Sequence, residues 1–311
     1  MKTASCLCLL ALLAATPARA SVYVVTVSGL VGEPDYDQRF TASAVDLDKA
    51  FKAAGPALHV YTLTGKEATR AHVTQVLGDV ARAAKPDDDF VLVLIGHGSY
   101  DGVEYKFNLL GPDMSAADIA ALCDRVPATH QLVVNTTSAS GGSLSALQRA
   151  GRAVIAATKT GTEKNATVFA RYWVEALQDP AADVDKNEAV SALEAFQYAD
   201  RKTAEYYTSQ KRLATEHPIF EDTGHGEAVR TPSVENGEGR LLASLVLVRL
   251  GDARQKALDP AKVALLAKKE DLERQIDILK YQKAAMAPSD YETQLKNLLV
   301  GLARLQVDLD K

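Results

Sequence analysis

Two short segments carry residue types that could do chemistry. In VLVLIGHGSYDG, His97 stands between Gly96 and Gly98, just past an apolar run that reads as a buried strand. An imidazole exchanges its proton near neutral pH, which suits it to act as a general base. Gly98 can expose its N–H in such a turn. About 40 residues later, LVVNTTSASGGSL runs from a second apolar stretch through Thr136, Thr137, Ser138, Ala139 and Ser140 into Gly141 and Gly142. That turn lets a small hydroxyl side chain stand at a sheet edge. A base at one strand end and a nucleophile candidate at the next is the arrangement that acyl transfer needs. Taken singly, each segment also reads as a hydrogen-bonded polar turn.

A third segment, DVDKNEAVSALE, points to a hard cation. Asp183, Asp185, Asn187, Ser191 and Glu194 fall at its first, third, fifth, ninth and twelfth positions, the spacing with which an EF-hand loop surrounds calcium with oxygens. Glu188 stands where that loop expects a glycine, so a polar loop with an N-capped helix is the competing reading. Any calcium here is expected to be structural, and no cofactor is required for the chemistry at His97 and Ser138.

The elements that must position these residues alternate along the chain. Strands are expected at Val22 to Ser28, Leu58 to Leu63, Phe90 to Ile95, Leu132 to Asn135 and Ala153 to Ala157, with helices at Ala42 to Ala54, Glu67 to Ala84, Ala116 to Asp124 and Thr167 to Leu177. Ser115 with Asp118 makes a capping box for the third helix. This alternation is the pattern of an α/β domain with a mainly parallel sheet, in which chemistry collects on loops at the carboxyl ends of strands. A long helix from about Val190 to Ala214, a polar loop from Thr215 to Arg240, and a further strand within Leu241 to Leu250, closing the sheet, complete it.

After Gly251 the composition changes. Asp259-Pro260 starts a helix with Leu265, Leu272, Ile276 and Leu279 on one face. Past a break at Pro288, a capping box of Ser289 and Glu292 opens a second helix, in which Tyr291, Leu295, Leu298, Leu302, Leu305 and Leu309 alternate four and three apart. The result is a helical hairpin with a coiled-coil seam, which either packs on the domain or serves as a dimerisation arm. The expected organisation is a leader over 1–20, an α/β domain over 21–252 and the hairpin over 253–311.

The leader reading rests on Lys2, the apolar run from Cys6 to Leu13 and the small residues of Ala18-Arg19-Ala20, which together form a secretory signal too short to span a bilayer. The mature chain is expected to begin near Ser21, in a periplasm or outside the cell. It then keeps one cysteine, Cys123, on the apolar face of a helix, which rules out an internal disulfide and a cysteine-rich metal site. The 311 residues are 47% hydrophobic and 24% charged, with 35 basic against 40 acidic side chains. This is a globular composition, and its acidic excess leaves nothing to neutralise a nucleic-acid backbone.

The two strand-end motifs together resemble the legumain and caspase clan of cysteine peptidases. There, an apolar strand ends in His-Gly and the next ends in an acidic-small-Cys-x-Ser-Gly pattern at a similar spacing. AVIAATKTGTEKNATVFARYWVEAL resembles the following strand, specificity loop and helix. The resemblance covers Ser21 to about Leu250 and implies a caspase-like (caspase-hemoglobinase) three-layer α/β fold acting on peptides or proteins. It implies that His97 is the base, that Ser138 occupies the nucleophile position, and that the N–H groups of Gly98 and Ser138 form the oxyanion hole. Thr136 stands where the clan has an acidic residue. Arg39, Thr136, Glu163 and Asn165 are the candidates for contacting substrate, although Arg39 also reads as a solvated loop arginine.

The departure falls at the nucleophile. A thiol ionises readily beside an imidazole, whereas an alcohol needs a well-oriented base at the moment of attack. The sequence leaves three outcomes open for Ser138: a site kept for binding, an active Ser/His hydrolase, or a different residue at the nucleophile position.

Overall fold

The computed structural model of the protein describes residues 21–30, 34–55 and 58–311. The leader expected over Met1 to Ala20 lies outside the described residues. In chain order the elements are β1 (Val22–Ser28), α1 (Pro34–Ala53), β2 (Leu58–Leu63), α2 (Arg70–Ala83), β3 (Asp89–Ile95), β4 (Gly98–Tyr100), β5 (Tyr105–Phe107), β6 (Met114–Ser115), α3 (Ala116–Asp124) and β7 (His130–Asn135). There follow α4 (Leu144–Leu147), β8 (Arg152–Ala156), α5 (Phe169–Ala176), β9 (Ala189–Ser191), α6 (Ala192–Ser209), β10 (Ile219–Glu221), α7 (Arg240–Ser244) and β11 (Val246–Arg249). Three helices, α8 (Gly251–Leu258), α9 (Pro260–Gln282) and α10 (Pro288–Leu309), end the chain.

The central sheet has the order β10-β8-β7-β3-β1-β2, parallel throughout except for β10. Its inner strands are apolar at nearly every position because both faces are covered. Val91, Val93 and Ile95 of β3 face a core shared with Phe40, Leu47 and Phe51 of α1, Phe169 and Trp173 of α5, and Phe196 of α6. The alternate residues Phe90, Leu92 and Leu94 face Val73, Leu77 and Val80 of α2 and Ile119 and Leu122 of α3. Strand side chains alternate between faces, so one run of residues serves two cores. The result is three layers, helix on sheet on helix. Cys123 is fully buried in the second core, where burial pushes its thiol up to about 11. Ser115 and Asp118 form the expected capping box.

Four expectations change. The first helix begins at Pro34, not Ala42, and carries Arg39 with it. The helix expected from Val190 begins at Ala192, because Ser191 accepts the Glu194 N–H and Glu194 reaches back to Ser191, which caps it there. The run Leu241 to Leu250 does not close the central sheet: the edge beside β8 is already taken by β10, so the run divides into α7 and β11, and β11 pairs antiparallel with β9. At the last helix Pro288 is the first residue and Ala287 the cap, with no side-chain capping bond, in place of the Ser289 box.

Asp259 caps α9 through the Ala261 N–H, with Pro260 at the first helical position. The hairpin lies on the amino ends of the strands. Arg249 forms a two-pronged ion pair with Glu270, at 2.6 and 2.7 Å, and Lys269 Nζ donates to the Asn187 carbonyl. Tyr281 donates to the Glu238 carbonyl, and Arg254 to that of Ala53. Between hairpin and sheet is a cavity of about 900 Å³, lined among others by Val22, Leu58, Val246, Leu247, Val263 and Leu305.

Candidate active site

The loops after β3, β7 and β8 meet at the carboxyl ends of the strands, opposite the hairpin. Gly96 adopts φ +141, a conformation open to glycine, and turns the chain sharply after β3. The next residue, His97, is half-buried, with its ring edge-on to Tyr36 at 5.1 Å and Phe40 at 5.2 Å. These two aromatics lie one turn apart on α1, so that helix holds the imidazole. The His97 carbonyl accepts the Asn108 N–H.

Ser138 follows β7 and is 3% exposed. Its Oγ accepts the Gly98 N–H at 3.1 Å and its O–H donates to the Gly98 carbonyl at 2.9 Å. The two loops touch so closely here that a Cβ on Gly98 would lie 2.5 Å from the Ser138 carbonyl oxygen and 2.6 Å from Thr137 Oγ1. Ala139 then takes φ +56, a left-handed conformation that costs a residue with a side chain of order 1 kcal/mol. Its N–H donates to the Glu163 carbonyl.

Beneath Ser138 a buried polar network fixes the turn. The Tyr105 hydroxyl reaches Thr137 Oγ1 at 2.6 Å and Asn135 Oδ1 at 3.2 Å, and burial pushes that phenol up to about 12. Thr137 Oγ1 also lies within hydrogen-bond distance of Asn135 Oδ1, and the Asn135 amide donates to Ser143 Oγ. On the other side, Ser140 Oγ accepts the Thr158 N–H and the Gly141 N–H donates to Thr158 Oγ1, joining the turn to the loop after β8.

The residues expected to contact substrate are distributed differently. Thr136 is 1% exposed; its N–H and hydroxyl both donate to the Leu94 carbonyl, so it is a tie between strand ends. Glu163 is turned onto its own loop and β10: it accepts the Lys159 N–H and the His217 N–H and pairs with the His217 imidazole. Asn165 is exposed on the same loop. Arg39 is exposed on α1, its guanidinium 5.5 Å from the Tyr36 ring that abuts His97. Sequence reasoning passed over Tyr36, Phe40, Tyr105 and His217. The four-residue spacing of Tyr36 and Phe40 was the one local signal available, because the other two act across long separations.

This arrangement has a definite chemical consequence. The Ser138 hydroxyl donates to the Gly98 carbonyl. The Gly98 N–H, which would stabilise an oxyanion, is directed at Ser138 Oγ.

In the Asp183 loop, carboxylate oxygens of Asp183, Asp185 and Glu194 lie within 4.8 Å of one another, close enough to hold one divalent cation. Glu188 adopts φ +66, the left-handed conformation for which that position usually has glycine. Burial, with Glu194 and Asp183 adding negative charge, holds the Asp185 carboxyl above its usual range. Asn187 and Ser191, expected as further ligands, are engaged locally: Asn187 Oδ1 accepts the Ala189 N–H and Ser191 caps α6.

Base candidate and hydroxyl thus lie at the carboxyl ends of a three-layer α/β sheet. Among solved structures the chain is similar to the Drosophila initiator caspase Dronc, with 14% identity and a TM-score of 0.42 over 67% of this chain and 81% of that one. It is also similar to caspase-1 from Spodoptera frugiperda, with 13% identity and a TM-score of 0.45 over 66% and 86%. No protein-family profile and no curated protein matches the chain.

Proposed function

We propose that this chain is an exported peptidase-like protein whose crevice binds a peptide or protein segment without cleaving it. The observation that carries this reading is the mutual engagement of Ser138 and Gly98: the hydroxyl donates to the Gly98 carbonyl, and the Gly98 amide that hydrolysis would use donates to Ser138 Oγ. The motif resemblance supports a peptide as the ligand class. The leader motif supports export. A structural cation at Asp183, Asp185 and Glu194 would brace the loop between α5 and α6, away from the crevice chemistry.

A panel of fluorescent peptide esters and amides, assayed alongside a biotinylated fluorophosphonate, tests the reading. Saturable binding of peptides by polarisation, without turnover and without labelling of Ser138, is expected. A fluorophosphonate adduct on Ser138 that depends on His97 would replace it with an active serine hydrolase.

A further inference from the structure

Helix α10 has two apolar faces, and one of them points to solvent. The inner face packs on α9: Leu309 is buried, and a Cβ on Gly301 would lie 3.2 Å from Leu272 of α9. On the outer face Leu299 is 49% exposed, Val300 42% and Val307 58%, and Ala303 between them is exposed as well. Within one helix, residues three, four and seven apart fall on one side, so these four form a single stripe about a third of the circumference wide. Exposed apolar residues scattered singly need no explanation, but a contiguous stripe along one helix marks a contact surface.

About Ala303 the stripe is symmetric in two pairs of positions, while Val300 has the polar Gln306 as its counterpart. Leu299 and Val307 stand four positions to either side of it, and Lys296 and Asp310 seven positions to either side. When two copies of such a helix run antiparallel across a two-fold axis at Ala303, each Leu299 meets the other copy's Val307 and each Lys296 meets the other copy's Asp310. The smallest side chain lies on the axis, where the helices approach most closely. A self-complementary patch of this kind is what an isologous interface requires. Lys296 and Asp310 are both exposed. Asp310 already holds Lys256 and Gln306 through Oδ1, which leaves the second carboxylate oxygen in position for a further cation.

We infer that the outer face of α10 is a homodimer interface in which two copies pair antiparallel about Ala303. The occupant is a second copy of this chain, because Lys296 and Asp310 of one helix meet Asp310 and Lys296 of the same helix reversed on itself. The pairing uses neither the crevice nor the Asp183 loop, so it stands apart from the reading of the active site.

Two measurements on the full chain test it. In sedimentation velocity the wild type should run as a dimer at micromolar concentration. The Leu299→Glu/Val307→Glu variant should run as a monomer with an unchanged far-ultraviolet circular dichroism spectrum, since both positions are exposed. Register is read by oxidation in a Cys6→Ser/Cys8→Ser background, where the remaining native thiol, Cys123, is buried. Ala303→Cys should cross-link across the axis. Lys296→Cys should not, because its symmetry mate lies beyond the 7 Å that a disulfide spans. A monomeric wild type, a dimer that survives the double substitution, or cross-linking at position 296 and not at 303 would each overturn the inference. A monomer that floats with phosphatidylglycerol vesicles in a stripe-dependent way would give the face to a membrane surface instead.

Discussion

Glu163 accepts the backbone N–H of His217 at 3.2 Å and pairs through its other oxygen with the same residue's imidazole, so one carboxylate ties the loop after β8 to the start of β10. The neighbouring Glu216 extends the tie. It accepts the N–H groups of Val168 and Phe169 at the start of α5 and the Tyr207 hydroxyl, and it is 2% exposed. Glu216 thus receives the first amides of α5, and Glu163 joins the loop after β8 to the chain just before β10.

Burial pushes the Glu216 carboxyl from its ordinary 4.5 up to about 7. The folded state therefore prefers its protonated form. The stability this contributes is fully present below about pH 4.5 and is lost as pH rises through about 7, a difference of at most about 3 kcal/mol. Glu216→Gln removes that dependence. Between pH 5 and pH 8 the urea midpoint of the wild type should fall relative to that of the variant. Glu273, pushed up to about 7 as well, is present in both proteins and cancels from the comparison. Parallel pH profiles would place the Glu216 titration outside this window.

Ser138→Cys examines the crevice. Sulfur is larger than oxygen and its hydrogen bonds are weak, so the pair of bonds to Gly98 loosens and the thiol turns toward His97. The new thiol should react with iodoacetamide at least tenfold faster than Cys123, whose ionisation is suppressed by burial. Adding His97→Ala should remove most of the difference. An inert thiol at 138 would mean that the two strand ends do not form a dyad.

Millimolar calcium should raise the melting temperature, since an ion bound by the folded state alone stabilises it by mass action. Asp185→Asn should abolish the rise. It is preferred to a change at Glu194, which also caps α6. Equal melting curves in calcium and in chelator would leave the Asp183 loop as a capped turn.

Truncation after Asp252 removes the hairpin and with it the Arg249–Glu270 pair, and it uncovers Val22, Leu58 and Leu247. The α/β core should then melt several degrees lower and bind a hydrophobic dye that the full chain does not. A truncated protein that melts unchanged would show that the hairpin is an appendage.

Much of the frame was legible in the sequence because it depends on local pattern. β1 and β2 appear at the expected bounds, their β-branched runs being bounded by turns, and α3 starts where its capping box begins. β10 escaped notice because three residues inside a polar loop are too few to show a period. Leu241 to Leu250 misled because an apolar stretch does not say where a turn of helix gives way to strand. At the crevice, the strand ends bearing His97 and Ser138 were readable, since glycines punctuate them. The Gly98 lock, the Tyr105 network and the Glu163–His217 pair were not, because each joins residues 30 to 54 positions apart. No local pattern encodes a partner at that distance.

Arg254 of α8 donates to the carbonyl of Ala53, a bond that closes 201 positions of chain. Synthesis runs from the amino terminus, so the strand ends that the hairpin covers are made long before their cover exists. Until the last helices are made, the valines and leucines at the amino ends of the sheet stay open to solvent.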